Sequence, residues 1–268
     1  MKKIMFFDID GTLIDSMNGI KDISPKVKEA IKEIQKNGDY AFIATGRPYA
    51  FLPNTILEFG FDGFILSNGA HIIINNKTIY SDSIDKVFIK GLVDKLEENN
   101  IEYVLQGENN CYMKKHFKDF HAYLDKIEVP KKHIKDEYDC EEIDVYKLEI
   151  LCKNDEIENL CLNLISKNPQ CDYFSSINKR AIEVYLKTNS KSKAILKVIN
   201  YLNISIENSY AFGDGKNDID MLKVVRYGIA MGNASDEVKL AADYVTEDID
   251  NDGVALGIEK YTFTSIVN

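Results

Sequence analysis

Residues 4–15 read IMFFDIDGTLID, and the fold is decided in this stretch. Ile4, Met5, Phe6 and Phe7 form a short, unbroken apolar run, which is what a strand covered on both faces of a parallel sheet requires. Asp8 and Asp10 follow two residues apart, so in extended backbone both carboxylates leave the same face, and Gly11 lets the chain turn away. Each has an unperturbed pKa near ~3.9, so both ionise at neutral pH, and two anions that close need a cation or a shared proton. Taken alone, Asp-x-Asp-Gly is equally a strand-ending turn.

Working outward, Ser24-Pro25 supplies a hydroxyl cap and a first-turn proline for a helix whose stripe is Val27, Ala30, Ile31 and Ile34 and which Gly38 ends. A second apolar strand over 40–44 exits at Thr45-Gly46-Arg47-Pro48, a helix is expected over 49–58, and a third strand over 63–67. Strand, helix, strand, helix, strand is the pattern of a Rossmann-like, doubly wound parallel sheet in an α/β fold, which binds ligands at the carboxyl ends of its strands. Asp8 and Thr45 both sit at such ends.

The pattern changes after Asn68. Residues 71–74 and 78–81 flank Asn75-Asn76-Lys77 as a hairpin, and a helix over 84–99 leads into short strands near 101–106, 111–114 and 145–153. A helix over 155–167 and strands over 171–176 and 181–186 close the region. This reads as an α+β insertion at 82–186, splitting a core made of 1–81 and 187–268. The parallel pattern resumes with a helix over 192–202 and buried strands over 210–213, 227–231 and 244–245.

Three further places carry chemistry. The Thr45 hydroxyl and the Gly46 backbone N–H are placed to converge on one anion oxygen, although Thr-Gly is also a common strand exit. In Gly213-Asp214-Gly215-Lys216-Asn217-Asp218, two acids four residues apart straddle a strand-to-helix turn where oxygen ligands and backbone N–H groups converge. Lys191 opens the helix behind the strand that holds Ile182-Glu183-Val184, with Lys193 as a nearby competitor.

Together these segments resemble the haloacid dehalogenase-like (HAD) hydrolases, in their Cof-type branch. The apolar run with Asp8-Ile9-Asp10-Gly11-Thr12 resembles the first motif, Ala44-Thr45-Gly46-Arg47 the second, Lys191 the third and Gly213 to Asp218 the fourth. Ile229 to Ala234 and Ala242 to Thr246 resemble stretches that recur near the C-terminus of that branch, while Ser192 stands where a glycine is usual. The resemblance implies a magnesium-dependent phosphomonoesterase with an inserted α/β cap that sets specificity, acting on a small phosphorylated metabolite (a sugar phosphate, nucleotide or cofactor phosphate). It implies Asp8 as nucleophile, Asp10 as general acid/base, and Asp8, Asp10, Asp214 and Asp218 as the magnesium site. Thr45, Gly46, Arg47, Lys191 and Asn217 are expected to bind phosphate or substrate. A phosphomutase of the same fold is the enzyme alternative, and a receiver domain is too short and capless to fit.

Composition bounds the rest. A net charge of −10 with a pI near 5.0 argues against a nucleic-acid partner, so the phosphate site must be basic only locally. No targeting segment or membrane-length apolar run is seen, and the five cysteines, 111, 140, 152, 161 and 171, are odd in number and lack zinc spacing, so a reduced, cytoplasmic protein is expected. His71, His116, His121 and His133 show no ligand spacing, and the basic run Lys114, Lys115, His116 and Lys118 reads as a solvated helix face. Asp248, Asp250 and Asp252 with Gly253 and Glu259 fit the calcium-loop pattern, giving a calcium-binding protein as the alternative of another class. An EF-hand, however, needs a helix before that loop, where the sequence reads as a strand.

Overall fold

The computed structural model describes residues 2–176 and 180–263. The chain divides into two compact units, one of residues 1–46, 54–79 and 190–268 and one of 47–53 and 80–189. The fold is α/β with a parallel sheet core.

In chain order the first unit begins with β1 (Ile4–Phe7), α1 (Pro25–Lys36), β2 (Tyr40–Ala44), α2 (Asn54–Leu57), β3 (Gly63–Leu66), β4 (His71–Ile74) and β5 (Lys77–Ser81). All four β1 side chains are fully buried, as a central parallel strand demands. Ser24 caps α1, its hydroxyl accepting from the Val27 N–H at 3.3 Å, with Pro25 in the first turn. The helix expected over 49–58 does not form. Pro53 holds Leu52 in extended backbone (φ −75°, ψ 127°), leaving a 3-10 turn at Tyr49–Phe51 and the short α2. Ala50 and Phe51 are drawn instead into the hydrophobic core of the second unit.

That second unit carries α3 (Lys86–Glu98), β6 (Tyr103–Gln106), β7 (Cys111–Tyr112), α4 (Lys118–Lys126), β8 (Ile134–Lys135), β9 (Lys147–Leu151), α5 (Asp155–Ile165), β10 (Cys171–Ser176) and β11 (Ala181–Leu186). Its strands form one sheet in the order β10-β11-β9-β6-β7-β8, antiparallel except for β7 with β8. The five cysteines are all buried free thiols in its core.

The first unit resumes with α6 (Lys191–Tyr201), β12 (Ser209–Gly213), α7 (Ile219–Val224), β13 (Tyr227–Ala230), α8 (Asp236–Lys239), β14 (Tyr244–Val245) and α9 (Gly253–Ile258). Its sheet runs β14-β13-β12-β1-β2-β3-β4-β5, parallel from β14 to β3 and antiparallel at β3 with β4. In register, Phe7 stands opposite Ile43 on one side and Phe212 on the other. The chain winds in opposite directions from β1, so the crevice at its carboxyl end is where such a sheet takes a ligand. Residues 8, 45 and 214 all leave the sheet at that edge.

Candidate active site

Asp8 ends β1 with its N–H bonded to the Phe212 carbonyl at 3.0 Å, so β1 and β12 present their exits side by side. Lys191, in the first turn of α6, is fully buried, and its Nζ donates to Asp8 Oδ1 at 2.6 Å and to Asp218 Oδ1 at 2.5 Å. Asp218 uses its other oxygen to accept the N–H groups of Asp214 (3.1 Å) and Gly215 (2.9 Å), which shapes the β12 exit loop. Asp214 accepts from the Thr12 hydroxyl at 3.3 Å. Gly11, at φ +79°, approaches so closely that a Cβ there would stand 2.2 Å from Asp214 Oδ2.

Ligand oxygens of Asp8, Asp214 and Asp218 lie within 4.8 Å of one another. Burial, then the Asp218 charge, pushes the Asp8 carboxyl up to about 8, against the opposing pull of Lys191. Burial and Asp218 likewise push Asp214 up to about 6. Burial works against the Lys191 ammonium, but Asp218 and Asp8 overcome it and hold this group above the usual lysine range. Three carboxylates against one ammonium leave a net charge of −2 when all are ionised. The donors are all oxygen and the cluster as a whole is doubly negative, which fits a hard divalent cation, and burial first, then the neighbouring Asp218 charge, is what raises the two acids.

The other expected residues fall as follows. Thr45 is buried one residue past β2; its N–H donates to the Ile65 carbonyl (2.9 Å) and its carbonyl accepts from the Asn68 N–H (3.1 Å). Asp10 is exposed, and its carboxylate is not part of the acidic group that comes together. Asn217 is exposed, its Oδ1 lying over Gly215, 2.5 Å from where a Cβ would stand. Arg47 belongs to the second unit, where its Nη1 donates to the Phe51 carbonyl at 3.0 Å. In the calcium-like stretch, β14 precedes the loop, Asp252 accepts from the Ser24 hydroxyl and pairs with Lys26 at 3.3 Å, and 249–251 form a 3-10 turn. This is a brace on α1.

Two supporting residues have contacts that the sequence does not assign. Asn233 donates from Nδ2 to the Gly11 carbonyl (2.9 Å) and accepts the Ile249 N–H (2.9 Å), pinning the turn after Asp10; its place in the Ile229 to Ala234 stretch was the available signal. Ser192 donates to Asp220 Oδ2 at 2.7 Å, tying the first turn of α6 to α7. Thus the serine in the usual glycine position helps fix the segment that carries Lys191.

A family model described as haloacid dehalogenase-like hydrolase matches residues 5–258. YkrA of Bacillus subtilis (strain 168) is 31% identical over 260 residues, covering 96% of this chain and 97% of that protein. A 5-amino-6-(5-phospho-D-ribitylamino)uracil phosphatase of the same organism, YcsE, is 28% identical across 97% of this chain and 95% of its own. Among solved structures, a HAD subclass IIB sugar phosphatase superposes with a TM-score of 0.77 at 30% identity over 96% of this chain and 98% of that one. A protein from Geobacillus kaustophilus does so with a TM-score of 0.86 at 29% identity, over 97% and 98%. The chain belongs to the haloacid dehalogenase-like hydrolases, and is a phosphatase of that family.

Proposed function

We propose that this phosphatase is a magnesium-dependent phosphomonoester hydrolase that turns over a small phosphorylated metabolite through an aspartyl-phosphate at Asp8. The observation that carries the reading is the Lys191 ammonium set between Asp8 and Asp218 with Asp214 alongside, a buried cluster two positive charges short of neutrality. Asp8, Asp214 and the Asp10 backbone would hold magnesium, with Asp218 in support; when bound, the ion supplies charge neutralisation and lets Asp8 ionise despite its burial.

In the first step an Asp8 oxygen forms a bond to phosphorus as the bond from phosphorus to the ester oxygen breaks, and Asp10 gives its proton to the departing alcohol. Lys191, Thr45, the Gly46 N–H and Asn217 bind the equatorial oxygens, where transition-state charge is spread. In the second step a water gives its proton to Asp10 as its oxygen bonds to phosphorus and the Asp8 acyl-phosphate bond breaks, releasing inorganic phosphate and restoring both acids.

The insertion expected at 82–186 is assigned the choice of leaving group, with Arg47 assisting, in a cytoplasmic enzyme without a nucleic-acid partner. No helix among the described residues is long and apolar enough to cross a membrane. Relatives named for a phosphoribityl compound and for sugars support a small polar substrate.

The test is phosphate release from sugar phosphates, nucleotides, pyridoxal phosphate and an aryl phosphate, with magnesium or chelator, for wild type and Asp8→Asn. Magnesium-dependent release lost in Asp8→Asn supports the reading. Unchanged activity in Asp8→Asn overturns it, and transfer of phosphate between hydroxyls without release puts a phosphomutase in its place.

A further inference from the structure

The carboxyl end of β3 has an unusual backbone. Ser67, Asn68 and Gly69 take positive φ in succession, 49°, 54° and 97°. Glycine adopts this region freely and asparagine tolerates it, but serine there is strained, and strain of this kind persists only where its surroundings enforce it. Here they do. The Asn68 N–H is bonded to the Thr45 carbonyl at 3.1 Å, while a Cβ on Gly69 would stand 2.4 Å from the carbonyl oxygen of Ser190. The turn is therefore wedged between the segment that carries Thr45-Gly46 and the segment that leads into Lys191.

Two oxygens in this turn are buried without a hydrogen-bond partner among the described residues, Ser67 Oγ and Asn68 Oδ1. Ser67 is 2% exposed. The Asn68 amide lies over Gly46, its Oδ1 3.1 Å from where a Gly46 Cβ would be. Buried polar atoms are nearly always paired, and an exception beside a reactive site marks a place for a ligand group. The missing group is defined by chemistry. A carbonyl oxygen only accepts, and the oxygens of a phosphomonoester dianion also only accept, so Oδ1 calls for a hydroxyl on the alcohol portion of the substrate.

We propose that Asn68 is a substrate-contacting residue whose Oδ1 accepts a hydrogen bond from a hydroxyl close to the ester oxygen, so that the preferred substrates are polyol phosphates. Ser67, in the same turn, is a second hydroxyl-directed group. The proposal rests on the phosphatase reading of the Asp8 and Lys191 cluster and adds a specificity element to it.

The experiment compares kcat/KM for glycerol 3-phosphate, propyl phosphate and an aryl phosphate in wild type, Asn68→Gly and Ser67→Ala. Glycine keeps the left-handed backbone available, and a thermal denaturation midpoint checks that each variant is folded. Wild type should favour glycerol 3-phosphate over propyl phosphate by about 10-fold, as one hydrogen bond warrants. Asn68→Gly should erase that preference by lowering kcat/KM for glycerol 3-phosphate about 10-fold more than for the other two esters, and Ser67→Ala should reduce it in part. An equal loss on all three esters in folded Asn68→Gly, or an intact preference, overturns the proposal. Aryl phosphate turnover in wild type against Asp8→Asn reports separately on the phosphatase reading itself.

Discussion

Replacing Lys191 with methionine keeps most of the apolar stem of the side chain and removes the ammonium that bridges Asp8 and Asp218 at 2.6 and 2.5 Å. Two effects follow from the same deletion. Removing one partner of a buried ion pair costs about 3–5 kcal/mol, because the charges left behind are uncompensated. Asp8 is already pushed up to about 8, so part of that cost is relieved when it takes a proton, which under the proposed mechanism disables it as a nucleophile. If Lys191 is the proposed donor to the phosphoryl oxygens, losing it should lower kcat by about 10²–10³, or about 2.7–4 kcal/mol.

Stability and activity should therefore separate when magnesium is added. In chelator the melting midpoint of Lys191→Met should fall by roughly 6–12 °C, taking about 3 kcal/mol at about 2–4 °C per kcal/mol for a chain of this size. Magnesium should restore much of the midpoint by neutralising the freed carboxylates, but not kcat, because the ion does not replace a donor to the equatorial oxygens. The assays are differential scanning fluorimetry and steady-state phosphate release. A kcat within about threefold of wild type would refute the reasoning, since it would place Lys191 outside the reaction.

Gly11→Ala should abolish activity and weaken magnesium response, because a Cβ would stand 2.2–2.7 Å from all three carboxyl atoms of Asp214 and the backbone is left-handed (φ +79°); isothermal titration with magnesium reads the loss. Ser192→Ala removes a hydroxyl that donates to Asp220 at 2.7 Å and should cost about 1.5–3 kcal/mol in urea unfolding, with kcat falling more than KM changes. In chelator, Asp8 binds its proton more tightly folded (about 8) than unfolded (3.8), so the stability it contributes is full below the lower value and lost as pH rises through the upper. The melting midpoint in chelator should fall over that range, and Asp8→Asn should flatten the fall.

The central strand was legible because its chemistry is local. Four apolar residues before Asp8 have one use in an α/β sheet, and all four are fully buried. The same holds for the run into Gly213 and for the hairpin around Asn75 and Asn76, both left-handed. The stretch over 49–58 failed for a local reason that competed with periodicity, since Pro53 breaks the helix its neighbours would extend. The basic run expected on a helix face lies mostly ahead of the helix: Lys114, Lys115 and His116 precede α4, which begins at Lys118.

The placement of Asp8, Thr45 and Asp214 at one sheet edge was legible because motif and strand end coincide there. Lys191 was marked by its place at a helix start and by resemblance, but its partners were not, because they lie 183 and 27 residues away and no spacing encodes them. The Ser67 to Gly69 turn was not legible at all. Positive φ at a serine is enforced by contacts with Thr45 and Ser190, which a linear reading does not contain.

The most direct test of the central claim is to quench the enzyme during turnover with magnesium and substrate, reduce it with borohydride, and locate the reduced carboxyl by peptide mass spectrometry. An acyl-phosphate is reduced to the alcohol whereas a free carboxylate is not, so the account predicts reduction at Asp8, dependent on both substrate and magnesium. Reduction at another acid, or full turnover by Asp8→Asn, would contradict it.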